Sequence, residues 1–331
     1  MIGICENQAA WDGALENSFY HFITYRYGWL KAWASGTPEL KPLFIAGMND
    51  DDGCDFVCPV YVDTKARVLT GAVGVTPGFL SANVTPNETV TYLINVAKRE
   101  KLGKIVLQIP PGYSYSNNLI QKGFVLRRKV SFYVLPVNCF NTFEEYVSSI
   151  SNKGKKSDIR FSLKAGLKIE TASYSPETYR RFAVFLSDMA ARNRASLPGE
   201  RMYEVLNDYY PKDSIYWIAT HNGMDVGSAL TFACKDQIWI MWLQGGEQHR
   251  NLKVDTYLYA EIIRYAIDNG FRVVNFGTSP IDTPLGDFKR RLEAQLEFHE
   301  LYELDLNISE VIKQYGSSLK RYVKSKYVTH E

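Results

Sequence analysis

The sequence predicts an α/β chain with mixed sheets, built as two similar halves, residues 1–139 and 140–331, joined by a basic helix and closed by a C-terminal helix. Three observations lead there. Residues 237–279 read as strand, link, helix and strand. QIWIMWLQGG is short, aromatic and apolar, bounded by Lys235-Asp236 and Gly245-Gly246. Leu258, Ile262, Tyr265 and Ala266 then recur at helical spacing, from a start that Asp255 can cap to a stop at Gly270. Residues 273–276 form the second strand and run into Gly277. Such a unit implies a parallel crossover, with a ligand site where strand meets helix N-terminus. Secondly, this element order occurs twice. Helix 88–101, Gly103, strand 105–109, short helix 117–122 and strand 125–136 are matched by helix 256–269, Gly270, strand 273–276, short helix 286–293 and strand 295–306. Gly103 and Gly270 are 167 residues apart, and strand cores 132–135 and 301–304 are 169 apart. A repeat this long marks duplicated domains. Finally, 331 residues suffice for about two domains.

The remaining elements follow in order. SFYHFITYRYGWLKAWA, residues 18–34, reads as a helix closed by Gly36-Thr37-Pro38. Strands follow at 43–46, 56–62 and 66–69, the first two joined by an acidic turn at 49–53. Residues 73–83 are loop-like. A short helix at 140–150 opens the second half near the boundary at 140–151, and SNKGKKSDIRFSLKAGLKIE comes next. It predicts a basic helix at 156–165, a stop at Gly166 and a strand from Leu167. Helices are expected at 176–194 and 202–210. Strands 215–219 and 226–233 pair across His221-Asn222-Gly223. Residues 309–326 form a basic amphipathic helix with Val311, Ile312, Tyr315, Leu319 and Tyr322 inward.

Composition narrows the function. Net charge is +2, so bulk electrostatics do not make the chain a polyanion binder; a local patch must do so if anything does. Cys5, Cys54, Cys58, Cys139 and Cys234 are odd in number, and residues 1–10 lack the basic start and apolar run of a secretory segment. Free thiols in a reducing cytoplasm are therefore expected. Cys54 and Cys58, four apart in a strand, should share a face. The five histidines are scattered, so no metal site is expected. No apolar run reaches the ~20 residues of a membrane span.

Four local features then resemble the tandem GNAT N-acyltransferases of the FemAB family. Lys153-Gly-Lys-Lys-Ser-Asp-Ile-Arg160 with Leu163-Lys164-Ala-Gly166 is similar to the basic opening of that family's second domain. Ile218-Ala219 through Gly223 to Val226-Gly227 is similar to its A-x-x-x-G-x-x-V-G hairpin. Leu258 to Gly270, followed by Asn275-Phe276-Gly277-Thr278-Ser279, is similar to its helix and D-F-G-x-S strand. Gly286-Asp-Phe288-Lys289 is similar to its G-x-x-x-F-K helix start, two residues shorter. The likeness covers nearly the whole chain. Three departures stand out. Arg250-Asn-Leu-Lys-Val-Asp255 lacks the glycines of an acyl-CoA loop, Glu293 follows Leu292 where glycine is common, and Asn275 replaces aspartate. Without those glycines close backbone approach to a pyrophosphate is harder, and Asp255 at the cap would oppose an anion there.

The resemblance implies transfer of an acyl or aminoacyl group to an amine on a phosphate-linked cell-envelope or polysaccharide precursor. The donor would be acyl-CoA, acyl carrier protein or aminoacyl-tRNA, with no tightly bound cofactor. Such transfer needs an amine that loses a proton, a polarised carbonyl and correct positioning, so no nucleophile motif is required. None is present: G-x-S-x-G is absent. Lys289, Tyr257 and Ser279 are the catalytic candidates: Lys289 to polarise the carbonyl or bind a phosphate, Tyr257 to protonate a leaving group, Ser279 to hydrogen-bond substrate. Arg160 and Lys156 would grip phosphates, with Arg250 and Lys253 flanking the donor site. Trp242, Gln244, Asn275 and Phe288 would line the cleft. Lys313, Lys320, Arg321, Lys324 and Lys326 would let the tail helix meet an anionic membrane surface or tRNA. Two other function classes fit the same residues: a basic-patch module that binds nucleic acid or a membrane surface without turnover, and a non-catalytic GNAT-like scaffold.

Overall fold

A computed structural model of the chain describes residues 1–16, 23–49, 53–71, 80–81, 86–112 and 116–306. In chain order the first half holds β1 (Ile2–Ile4), α1 (Gln8–Glu16), α2 (Tyr27–Ser35), β2 (Leu40–Met48), β3 (Cys54–Asp63), β4 (Val68–Thr70), β5 (Leu80–Ser81), α3 (Pro86–Arg99), β6 (Lys104–Ile109), α4 (Ser116–Gln121) and β7 (Val125–Pro136). The second holds α5 (Phe143–Ser149), α6 (Lys153–Ser162), β8 (Lys168–Ala172), α7 (Pro176–Asn193), α8 (Glu200–Tyr209), β9 (Ser214–His221), β10 (Met224–Cys234), β11 (Gln237–Gly245), α9 (Val254–Asp268), β12 (Val273–Thr278), α10 (Pro284–Arg290) and β13 (Gln295–Asp305).

All strands join one sheet in the order β1-β2-β3-β4-β6-β13-β7-β12-β11-β10-β9-β8, with β5 on β3. The mixed α/β class and the doubled order of helix, strand, short helix and strand are both present. Among the described residues each half contains one parallel pair, β4 with β6 and β11 with β12. α3 and α9 are the respective crossovers. The last strands interleave: β13 lies between β6 and β7, and β7 lies between β13 and β12. Apolar alternation explains the layers. Trp217, Ile238, Ile240, Val274 and Phe276 point to the face covered by α5 and α9, whereas Tyr216, Ile218, Phe232 and Trp239 point to the face covered by α2, α7 and α8. In the first half, Ile105, Leu107 and Ile109 meet α3 and α4, while Phe44, Val57 and Tyr61 meet α1 and α2.

Several expectations are corrected. Of the helix expected at 18–34, the described part is a 3₁₀ turn at Ile23–Tyr25 and then α2; residues 17–22 lie outside the described residues. β1 and α1 are additional. Of the loop at 73–83, β5 is a short strand and the rest, like the tail helix at 309–326, lies outside the described residues. The basic helix starts three positions early, at Lys153, because the Asn152 side chain caps it by accepting from the Lys155 N–H at 2.8 Å. The link after β11 winds into a 3₁₀ turn, Glu247–Leu252. Asp255 does not cap α9. Lys253 holds the N-cap position at φ 56°, without a side-chain cap, and the Asp255 carboxylate accepts instead from the Gly245 N–H at 2.5 Å. Cys54 and Cys58 face opposite sides of the sheet. Asp55 is an extra residue where Gly47 faces Phe56 and Met48 faces Cys54, and that bulge reverses the alternation.

Candidate active site

The parallel pairing of β11 with β12 ends at Trp239 and Asn275, although β11 runs on to Gly245 and β12 to Thr278. Both strands bulge just beyond. Met241 is supernumerary on β11, because Thr231 faces Ile240 while Leu230 faces Trp242. Phe276 and Gly277 together oppose Tyr133 of β7. Gly277 takes φ 69°, a conformation open to glycine at little cost. Asn275 fixes this bulge, its Oδ1 accepting from the Gly277 N–H at 2.8 Å. Bulges bend strands, and two in adjacent strands pull β11 and β12 apart into a wedge. Three buried polar atoms beside it, Tyr133 Oη, Trp239 Nε1 and Asn275 Nδ2, have no hydrogen-bond partner among the described residues. Buried polar atoms are rarely left so unless a ligand or water meets them.

α10 begins past the wedge, capped by Thr283 and opened by Pro284. Its last turn returns Lys289 to the sheet. Lys289 Nζ donates to the Phe276 carbonyl at 2.6 Å and the Thr278 carbonyl at 3.1 Å, and lies 5.5 Å from the Tyr133 ring centre. The residue is 3% exposed. Burial, with no counter-ion among the described residues, pushes its pKa down to about 7. Two of the three ammonium N–H groups are used by the carbonyls; one remains for a substrate atom.

A cavity of about 390 Å³ opens between α6 and α10. Lys155, Asp158, Asp287, Phe288 and Arg291 line it. Lys155 is buried because Lys155, Ile159 and Ser162 form the stripe of α6 that packs toward α9. Its Nζ lies 4.1 Å over the Phe288 ring and 3.4 Å from both Thr256 Oγ1 and Asp158 Oδ2. Burial lowers its pKa, and the nearby Asp158 offsets part of that shift. Lys253 pairs with Asp158 at 3.5 Å. At the N-terminus of α9 Asp255 has a raised pKa, chiefly through desolvation, and the Gly245 N–H lowers it in part.

The structure brings Lys289, Asn275, Ser279, Phe288 and Lys253 to the wedge and this cavity. Ser279 is buried, with its hydroxyl donating to the Thr278 carbonyl at 2.6 Å and its own carbonyl accepting from Ser131. Tyr257 lies farther along α9. Its hydroxyl donates to the Leu167 carbonyl at 3.1 Å, and burial pushes its pKa up to about 12. Arg160 points outward from α6, and Lys156 Nζ donates to the Ser148 carbonyl at 2.7 Å. Arg250 is exposed and pairs with Glu247 at 2.7 Å. Trp242 packs 5.4 Å from Tyr203 and 6.4 Å from Phe182, in the layer of α7 and α8. Gln244 Nε2 donates to the Gly245 carbonyl at 2.5 Å. Sequence reasoning missed Lys155 and Tyr133. The spacing of Lys155, Ile159 and Ser162 carries the first; Tyr133 sits in a continuous apolar run and carries no signal. Among the described residues, no cluster of three or more His, Cys, Asp or Glu side chains is placed to hold a metal ion, and no helix is long and apolar enough to cross a membrane.

Residues 171–290 match the model of the acetyltransferase (GNAT) domain. No curated protein matches the chain in sequence. Among solved structures, FemX superposes with a TM-score of 0.71 at 13% identity, over 93% of this chain and 98% of that one. L-PGS from Bacillus licheniformis gives 0.62 at 11% identity, over 94% and 96%. A tandem GNAT protein from the clavulanic acid biosynthesis pathway gives 0.57 at 9% identity, over 92% and 98%. The chain has a FemAB-like tandem GNAT fold.

Proposed function

We propose, from that fold as premise, that the protein is an N-acyltransferase that moves an acyl or aminoacyl group from an ester or thioester donor to an amine of a phosphate-linked cell-envelope or polysaccharide precursor. The observation that carries this reading is Lys289: a buried lysine, without a counter-ion among the described residues, held by two carbonyls at the mouth of the wedge between β11 and β12. Acyl transfer builds negative charge on the carbonyl oxygen of the donor. The remaining N–H of the Lys289 ammonium meets that charge, and in a dry site the interaction is much stronger than in water. As the amine attacks, its nitrogen–carbon bond forms and the bond from carbon to the leaving oxygen or sulfur breaks. The attacking nitrogen loses one proton and the leaving atom gains one, so the reaction needs no covalent enzyme intermediate. Asn275 Nδ2 and Tyr133 Oη are the further polar atoms available to substrate, and Ser279 closes the wedge. Tyr257 anchors α9 to the start of β8 through Leu167.

Around the cavity beside α10 the donor's phosphates would meet Lys155 and Lys253, which share Asp158, and Arg291, which pairs with Asp287. They have no place at the N-terminus of α9, where Asp255 already occupies the Gly245 N–H. This favours an aminoacyl-tRNA or an acyl carrier protein over acyl-CoA as donor. The five free cysteines suit a cytoplasmic enzyme. Turnover of a labelled amine with a panel of acyl-CoAs, loaded acyl carrier proteins and charged tRNAs tests the reading. Transfer from at least one donor class is expected. No transfer to any amine, together with no binding of any donor class, overturns it.

A further inference from the structure

A second cavity, also of about 390 Å³, opens at the end of the first half, where β6 leads to α4. Acyl transfer at Lys289 makes no use of it. The register of the central strands nevertheless ties the two places together. Tyr133, Ser131 and Lys129 alternate along one face of β7, and Leu296, Phe298 and Glu300 stand opposite them on β13. Tyr133 lies beneath Lys289. Ser131 follows, donating to the Ser279 carbonyl. Beside it Phe298 is 39% exposed, unusual for a large aromatic residue in mid-sheet. Lys129 and Glu300 then line the cavity itself, with Ser116 and Asn117 of α4. At ~3.3 Å per residue, the four steps from Tyr133 to Lys129 place the cavity about 13 Å from the reacting centre.

The lining has a definite chemistry. Glu300 Oε2 accepts from Ser116 Oγ at 2.8 Å and from Tyr302 Oη at 2.7 Å, so the carboxylate is fixed in orientation. Its Oε1 has no partner among the described residues, nor has Lys129 Nζ. The cavity therefore offers one held acceptor, one cationic donor, an amide from Asn117 and the half-exposed ring of Phe298. Hydroxyl groups both donate and accept, so they suit this mixed set; an anionic ligand would meet Glu300. A saturated ring can place its C–H face on Phe298 while its hydroxyls reach Glu300 and Lys129.

We propose that this cavity is an acceptor subsite for a sugar ring, carried about 13 Å from the amine that is acylated; the role of that amine rests on the acyltransferase reading. Binding is measurable without turnover, by saturation-transfer NMR and calorimetry on the full chain with methyl glucoside, methyl galactoside, methyl mannoside and N-acetylglucosamine. Dissociation constants in the millimolar range are expected for at least one of them. Phe298→Ala and Lys129→Ala, both at exposed positions and with melting unchanged, should each weaken binding by roughly five-fold or more. Lys289→Met should leave it unchanged. The subsite is overturned if none of the sugars binds, or if binding survives both substitutions undiminished. The outcomes separate the two readings: sugar binding with neither transfer from nor binding of any donor class removes the acyltransferase and keeps the subsite, whereas transfer with no sugar binding does the reverse.

Discussion

At Lys289 the chain gives up the hydration of a charge to place one N–H beside the wedge. The sign of the cost follows from the pKa. An unfolded lysine titrates near 10.5 and the folded one near 7. Between those values the unfolded chain binds more protons than the folded one, so folding stability rises with pH through this window. At about 1.4 kcal/mol per unit of pKa difference, the wild type should gain a few kcal/mol from pH 7 to 10. Lys289→Met should flatten that rise, as urea unfolding across the same range will show. Activity has the opposite slope on the alkaline side. The ammonium is the form that meets the oxyanion, so kcat/KM should fall above a pKa near 7. Lys289→Met should lower kcat by roughly 10²–10³ and abolish that limb. Lys289 was legible in the sequence through its place after Phe288. Lys155 was not, because it lies in a run with Lys153, Lys156 and Arg160. Which of them turns inward depends on where the helix starts, and the Asn152 cap moves that start by three residues.

Close approach of α9 to the sheet depends on two glycines. Gly227 and Gly245 pair across β10 and β11, directly under the first turn of α9. A Cβ on Gly227 would come within 2.6 Å of Val254 Cγ1 and 3.0 Å of both the Gln244 carbonyl and Gly245 Cα. Two of those contacts are backbone, so a rotamer change cannot relieve them. Gly227→Ala should lower stability by about 1–3 kcal/mol, read as a lower urea midpoint at unchanged m. Gly13→Ala, in α1 with open space around it, should raise stability by about 0.5–1 kcal/mol in the same assay. The contrast tests packing against backbone freedom. Apolar runs and punctuating glycines made most elements legible, and β7 was bounded correctly from its sequence. The bulges were not. Asp55, Arg127 and Met241 look like ordinary strand residues, since a bulge arises from the partner's register. Only Gly277 carried a local sign. The wedge, which is two bulges side by side, was therefore seen as a strand end and not as an opening.

In the whole molecule, the doubled element order was visible in the sequence but the exchange of final strands was not. Helical and strand periods say what each segment is; they do not choose its neighbour in a sheet. The exchange has a thermodynamic consequence. β13 supplies the antiparallel partner of β6, and its Tyr302 is buried in the core formed by α3, α4 and β6. β7 reciprocally completes the second half by pairing with β12. Neither half can lose its partner without leaving a strand edge unpaired and apolar surface uncovered. The central pairings also join residues far apart in sequence, Gln108 with His299 being 191 apart. Such contacts form late and cooperatively. The full chain should therefore unfold in urea in one transition, with tryptophan fluorescence and far-UV circular dichroism coinciding. Residues 1–139 expressed alone should lack a cooperative transition, and adding residues 140–331 in trans should restore it. Two separated transitions in the full chain, or a cooperatively folded 1–139, would show that the strand exchange contributes little to stability.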